Sequence, residues 1–354
     1  MQPPIYTGTW GHGTCHIQGI AIDERKGYIY YSFTTKLIKS TLDGKIVGSV
    51  DGLMGHLGCI AFNGEDGRVY GSLEYKHDVI GRNILNSLDR DMELEDAFYI
   101  AIFDVDKIDH MDMDAERDGI MTSVYLKAVV DDYRGVGVDR RGETVDHRYG
   151  CSGIDGITFG PMFGEAADSR KYLFVCYGIY GDLTRDDNDH QIMLCYDTDG
   201  WNQYETPLSQ AAMHKNGPEN PTEKFFVFTG NTTWGVQNLE YDPYKQAYLM
   251  AVYYGKKEKY PNYDLYAVDQ RVAPKVQALQ GLREEGKVLS LLQEGRLHEP
   301  TGVRGWRFPH GATGLYACGN GRYYISENHM TQSGQCGLIY RYVWDDKHAF
   351  VLED

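Results

Sequence analysis

The feature that most restricts this chain is a unit that recurs five times: an apolar strand, a turn and a second strand. The first copy reads His16-Ile-Gln-Gly-Ile-Ala-Ile-Asp23, then Gly27-Tyr-Ile-Tyr-Tyr-Ser32. Copies follow at His56–Ser72, Gly153–Cys176, Gly235–Val252 and Gly311–Ser326. A unit this small cannot bury its own apolar face, so its copies must stack on one another. A third and a fourth strand are expected after each hairpin. They are Lys36–Leu42 and Lys45–Val50, joined by the hairpin signal Asp43-Gly44; Phe98–Asp104 and Met121–Val130; Gln191–Tyr196 and Lys224–Phe228; Asp264–Val268 and Lys287–Leu292; and Gly337–Val343 and Ala349–Leu352. Four antiparallel strands repeated five times predict an all-β, five-bladed β-propeller, a single domain over residues 1–354. Six blades, one of them degenerate, is the alternative.

Spread over 354 residues, five units take about 70 residues each, longer than the roughly 45 of a WD40 blade. The excess predicts inserts at 76–96, 107–120, 131–150 and 203–222, and one short helix over 274–285. Ile5-Tyr-Thr-Gly-Thr-Trp-Gly11 echoes Val227-Phe-Thr-Gly-Asn-Thr-Thr-Trp-Gly235, where an outer strand hands over to the next inner one. The N-terminus is therefore expected to complete the last blade and close the ring, and loss of residues 1–8 is expected to destabilise it.

With 51 acidic against 35 basic residues the net charge is −16, so the basic footprint of a nucleic-acid groove is missing. No apolar run reaches membrane-spanning length. The seven cysteines are scattered with no CxxC pair, which argues against a zinc ribbon or thioredoxin site and fits a reducing compartment. The start lacks a basic region followed by an apolar one, so a cytoplasmic location is expected, with export after signal removal left open. The expected partner is a small molecule or carbohydrate, with neither nucleic acid nor membrane, on a monomer or small homo-oligomer.

In an antiparallel meander the start of the first strand and the end of the second lie at the same end of the blade. The repeat thus gathers His16, Gln18, His56, Asp155, Gln237, His310 and Thr313 with Glu74, His77, Asp78, Tyr177, Tyr253, Tyr254, Glu327 and His329 near one axial mouth. Gln18, Asp155, Gln237 and Thr313 hold equivalent steps and should point the same way. Convergent polar groups at an apolar ring make a ligand site. His16, Gln18, His56, Asp155 and Gln237 are candidate ligands of a divalent ion (Ca, Mn, Mg or Zn). His77 or His310 would serve as base, with Glu74, Asp78 or Glu327 as carboxyl partners. Tyr177, Tyr254, Trp234 and His329 would contact substrate, aromatic faces suiting sugar rings. Asp112–Gly119 and Arg185–His190 carry acids at short spacing like calcium loops, without the bidentate Glu of an EF-hand.

The runs Gln18-Gly-Ile-Ala-Ile-Asp23, Asp155-Gly-Ile-Thr-Phe159 and Gln237-Asn-Leu-Glu-Tyr-Asp-Pro243 resemble the gluconolactonase and senescence-marker propellers and, more loosely, NHL repeats. In that family, Glu, Asn and Asp from comparable strand starts hold one divalent ion over the channel. The resemblance implies such roles for Gln18, Asp155 and Gln237 or Asn238, of which only one is a carboxylate. Three readings follow. The first is a metal-dependent hydrolase of a small polar substrate: a sugar, sugar lactone or acylated sugar. The second is a non-catalytic propeller that binds carbohydrate or protein. The third is a lyase or epimerase using His and Tyr.

Overall fold

The computed structural model describes residues 3–11, 15–90, 95–139 and 141–354. Part of two expected inserts (91–94 and 140) and residues 1–2 of the expected clasp lie outside the described residues. Five blades follow one another around the ring. Blade one comprises Ile17–Asp23, Tyr28–Phe33, Lys36–Thr41 and Ile46–Asp51; blade two comprises His56–Asn63, Arg68–Tyr75, Ala97–Phe103 and Met121–Tyr125. Blade three comprises Cys151–Pro161, Lys171–Ile179, His190–Tyr196 and Glu223–Phe228. Blade four has three strands, Thr233–Asp242, Ala247–Tyr253 and Leu265–Asp269. Blade five comprises Leu315–Ala317, Arg322–Thr331, Gly334–Asp345 and Ala349–Leu352.

The ring closes through the N-terminus. Ile5 and Tyr6 pair antiparallel with Ile339 and Leu338 of blade five, beside its C-terminal strand. Thr7 continues the seam, its hydroxyl accepting from the Gly337 N–H at 2.8 Å. Between blades, tyrosine carries much of the apolar contact: Tyr30, Tyr31, Tyr70, Tyr75, Tyr99, Tyr177, Tyr248, Tyr266 and Tyr323 are buried almost completely. Flat rings fill the wedge between neighbouring twisted sheets.

Three expected elements are corrected. The strand expected over Met121–Val130 stops at Tyr125 and becomes helix α2 (Lys127–Arg134), whose Val129, Val130 and Tyr133 are buried on one face. The helix expected over 274–285 is instead the hairpin Lys275–Ala278 and Glu285–Val288. Gly281, at φ +87°, turns the chain there, and a helix could not pass through it. Residues 287–292 do not form the fourth strand of blade four. Glu285–Val288 adds in parallel to the outer strand of blade three, and Leu291 makes only an isolated bridge to Val268. The inserts also extend blades: Met113–Asp114 pairs with the outer strand of blade one and Thr206–Pro207 with that of blade two. Insert 76–96 folds helix α1 (Val79–Ser87), and 131–150 contains a small hairpin, Val136–Val138 with Thr144–Asp146.

The inner strands share one irregularity. Blades one to four each break register near the axial mouth, between Ile17 and Gly19, Leu57 and Ile60, Ile154 and Ile157, and Val236 and Asn238. A β-bulge interrupts strict alternation and re-aims the residue it inserts. It falls at Gln18, Gly58, Asp155 and Gln237.

Candidate functional site

A cavity of about 290 Å³ opens where the bulged strands begin. Blade one contributes His16 and Gln18, blade two His56, Glu74 and Lys76, blade three Asp155, and blade four Trp234, Gln237 and Tyr253, while α1 adds Ile80, Asn83 and Ile84. All five expected metal ligands therefore share it, together with Glu74 and Trp234.

Two glycines make room for its carboxyl groups. A Cβ on Gly58 would lie 2.1 Å from Asp155 Oδ1, and one on Gly153 would lie 2.0 Å from Glu74 Oε2. Neither carboxyl could occupy its place beside any larger residue. Asp155 Oδ1 accepts from the Cys59 N–H at 3.2 Å. Burial, reinforced by the nearby charge of Glu74, holds the Asp155 carboxyl well above the usual carboxylate range, which favours its protonated form.

Glu74 Oε1 lies 2.5 Å from Lys76 Nζ, and Glu74 Oε2 accepts from the Ile154 N–H at 3.0 Å. Lys76 also donates to the Ser152 carbonyl at 2.8 Å, while Asp78 Oδ2 stands off at 3.7 Å. Both side chains of the pair are about 95% buried. Burial pushes the Glu74 carboxyl up, against the pull of Lys76. Burial opposes the Lys76 charge, but Glu74 and Asp78 outweigh it and raise its pKa. The ammonium therefore stays charged.

The two histidines differ. Burial, with the Lys76 charge adding to it, drops His56 to about 3, so its imidazole is neutral. Its Nδ1 has no hydrogen-bond partner and stands 3.7 Å from Glu74 Oε1. His16 Nδ1 lies 2.7 Å from the Ile17 carbonyl oxygen. A carbonyl only accepts, so Nδ1 donates to it, and Nε2 is the ring nitrogen left to exchange a proton. Gln18 Nε2 donates to the Thr34 hydroxyl at 2.8 Å, and Gln237 Nε2 to the Trp234 carbonyl at 2.9 Å. Trp234 itself sits at φ +67°, a left-handed conformation costly for a bulky residue, which marks a strained position at the cavity wall. Burial raises the Tyr253 hydroxyl to about 12, keeping it a donor.

The remaining expected residues lie outside this cavity. His77 points away and pairs with Asp96 at 3.1 Å, its side chain 47% exposed. Asp78 is the N-cap of α1, accepting from the Ile80 and Gly81 N–H groups, and its other oxygen accepts from Tyr180. Tyr177 is buried and donates to Asp132 at 2.7 Å, and Tyr254 is exposed beside Arg307. His310 and Glu327 face each other at 3.7 Å on blade five, and His329 is exposed further along the same strand. The inner strand of that blade is only Leu315–Ala317, so His310 arrives on an unpaired approach. Thr313 bonds back to Ser326 rather than facing the cavity.

Strand alternation explains the near misses. Glu74 and Lys76 share a face and His77 takes the other, just as Tyr253 lines the cavity and Tyr254 does not. Counting in twos from Glu74 points to Lys76, the residue that sequence reasoning passed over.

The resemblance to gluconolactonase propellers implies one divalent ion here. The donor set does not fit it. Among the described residues no three His, Cys, Asp or Glu side chains are grouped to hold a metal. Glu74 is already paired with Lys76, burial works against the charged form of Asp155, and Gln18 and Gln237, whose amide nitrogens are engaged, offer only neutral amide oxygens. The run Asp112–Gly119, which resembles a calcium loop without its bidentate Glu, is a turn in which Asp114 caps the Glu116 and Arg117 N–H groups.

No protein-family model matches this chain, and neither does any curated protein. Among solved structures it is similar to a GH43 β-1,3-galactosidase bound to galactodeoxynojirimycin, at 11% identity over 98% of this chain and 97% of that one, with a TM-score of 0.45. It is also similar to a gluconolactonase from Xanthomonas campestris, at 12% identity over 99% and 78%, with a TM-score of 0.35. A solved Dos1 propeller matches at 9% identity and a TM-score of 0.36 over 96% of this chain, which spans 59% of that chain's length. Likenesses this distant leave the chemistry to the chain's own residues.

Proposed function

We propose that the protein is a hydrolase that cleaves the ester carbonyl of a small hydroxyl-rich substrate, a sugar lactone or an acylated sugar, in the axial cavity. One observation supports this most: the imidazole of His16, its Nδ1 turned to the Ile17 carbonyl, and the buried carboxyl of Asp155 line the same small space. Burial favours the protonated form of Asp155, so the imidazole and the carboxyl can divide the base and acid roles between them. Water gives its proton to His16 Nε2 as its oxygen attacks the carbonyl carbon. When the tetrahedral species collapses, the leaving oxygen takes the proton of Asp155. The products are an acid and an alcohol, or one hydroxy acid from a lactone. His16 then returns its proton through solvent to the Asp155 carboxylate.

The volume, at the lower end for ligand cavities, suits one sugar unit rather than a chain. Trp234 and Tyr253 offer aromatic surface to the ring, and the amide oxygens of Gln18 and Gln237 accept from hydroxyls. The test is pH-stat hydrolysis of aldonolactones and acetylated monosaccharides by wild type, His16→Ala and Asp155→Asn. Turnover lost in both variants supports the reading. Turnover unchanged in both, or no cleavage of either substrate class, overturns it.

A further inference from the structure

The ammonium of Lys76 is buried in the wall of a cavity that opens to ligand, one residue past the end of the strand that carries Glu74, and no role in proton transfer falls to it. A lysine this deep is held there by its acceptors, since desolvating an unpaired ammonium costs several kcal/mol. Two acceptors are short: Glu74 Oε1 at 2.5 Å and the Ser152 carbonyl at 2.8 Å. An ammonium has three N–H donors. Asp78 Oδ2, the other carboxylate oxygen nearby, is at 3.7 Å, beyond hydrogen-bond distance, and accepts from Tyr180, while Oδ1 caps α1. One donor is thus left for an oxygen arriving in the cavity.

We propose that Lys76 is a built-in cation that takes the place of a metal ion in this cavity, and that its third N–H receives the carbonyl oxygen of the substrate. The inference rests on the hydrolase reading for the word carbonyl, but not for the cation. The ammonium neutralises Glu74 beneath the cavity and presents positive charge to its contents. As water attacks, the π electrons of the carbonyl move onto its oxygen, and the fixed charge stabilises that oxyanion. When the carbonyl reforms, the pair returns and the leaving oxygen departs with the proton of Asp155. No redox change and no further reactant is needed.

The test reads cation binding first, without substrate. Wild type, Lys76→Ala and Lys76→Met are titrated with CaCl2, MnCl2 and ZnCl2 by calorimetry and thermal melting, alongside elemental analysis of the purified proteins. Wild type is expected to hold no stoichiometric metal and to melt at the same temperature with and without EDTA. Lys76→Ala, which vacates the cation position while keeping Glu74, is expected to gain one saturable site and about 3 °C or more of stabilisation by the metal. Lys76→Met, which fills the space with an apolar chain, is expected to gain less. One equivalent of metal in wild type, lost in Glu74→Gln or Asp155→Ala, overturns the proposal. Should Lys76→Ala fail to fold, the wild-type titration still decides. Failure to hydrolyse any lactone or ester would remove the carbonyl assignment and leave the cation standing, so the two failures are distinguishable.

Discussion

The two ends of the propeller axis are built from the same inner strands and come out chemically different. At the upper end the bulges turn Gln18, Asp155 and Gln237 toward one cavity, where a lysine, two histidines and two carboxyl groups meet. At the lower end a larger cavity of about 470 Å³ is reached after regular alternation resumes. The equivalent steps of its inner strands are Ala21, Ala61, Thr158, Glu240 and Tyr316, of which only Glu240 is acidic, while Glu24, Arg25, Glu65 and Lys171 line its rim. Asn238 separates the two, its amide donating to the carbonyls of Gln18 at 2.8 Å and Ala312 at 2.9 Å. Glu240 accepts only neutral donors, the Ala317 N–H at 2.9 Å and the Thr158 hydroxyl at 3.3 Å. Burial pushes it to about 8. A buried acid alone is thus no centre of chemistry. The upper end differs because broken strand period brings a fixed cation and an imidazole base beside its acids.

The largest expected effect breaks the upper end. Lys76→Met leaves Glu74 buried without its counter-charge, and losing one partner of a buried pair costs about 3–5 kcal/mol. Urea unfolding should show that loss, and Glu74→Gln in the same chain should recover most of it. At the lower end Glu240→Gln replaces a carboxyl that is neutral below its raised pKa by a neutral amide, so unfolding near pH 6 should change little. Equal losses for Lys76→Met and Glu240→Gln would erase the distinction between the two ends.

Activity should divide the same way. Removing a general acid costs about 10²- to 10⁴-fold in rate. Asp155→Asn is expected to lower kcat on a cleaved lactone or ester by that much with little change in melting temperature. Glu240→Gln is expected to leave kcat and KM unchanged, since Asn238 stands between it and the upper cavity. A comparable fall in both variants would place the reaction, or part of it, at the lower end.

The third comparison is with pH. A carboxyl whose folded pKa lies above its unfolded value binds protons more tightly in the native state, so the stability it contributes is full below the unfolded pKa and lost as pH rises. For Glu240 the window runs from its ordinary 4.5 to about 8. Below 6.5 the neutral-held His56 acts in the opposite sense, so the loss is read as a difference: wild type should lose stability relative to Glu240→Gln as pH rises through the window. Asp155 and Glu74 are shifted in the same direction, so Glu240→Gln should leave a residual slope that Asp155→Asn reduces further. A wild-type advantage over Glu240→Gln that grows with pH through this range would contradict the raised pKa of Glu240.

The ring, its blades and its closure were legible in the chain because they rest on local signals: alternating apolar residues, turn dipeptides such as Asp43-Gly44, and the Thr-Gly…Trp-Gly echo. The upper site was half legible. Strand starts brought His16, Gln18, His56, Asp155 and Gln237 together correctly, since equivalent steps of equivalent blades converge. Strand ends were read one residue too far, at His77 and Tyr254, because a histidine or tyrosine advertises chemistry more loudly than the alternation that decides its direction. Asp78 was misread for a related reason: an acid before a short helix serves as a cap, and the helix in insert 76–96 was not foreseen. Blade five could not be read at all at this level, since its inner strand shortens to three residues and the His310–Glu327 pair is carried away from the cavity. The role of Gly58 and Gly153 as seats for carboxyl groups of a neighbouring blade depends on contacts between segments about 80–100 residues apart, which no local pattern records.

The smallest expected effect sharpens that lesson. His77 and Lys76 are adjacent in the chain, and pleating sends them to opposite faces. His77→Ala removes a surface side chain whose Nδ1 meets Asp96 at 3.1 Å, an exposed pairing worth little. Its melting temperature, kcat and KM should match wild type. His16→Ala, on a strand start rather than a strand end, should abolish turnover while the protein stays folded, because among the described residues the imidazole bonds only to the adjacent Ile17 carbonyl. Adding free imidazole should then restore part of the rate in His16→Ala and none of it in Lys76→Met. Were His77→Ala the variant that lost activity and His16→Ala the one that kept it, the reacting space would lie outside the bulged strands, along α1 and the loop that follows blade two.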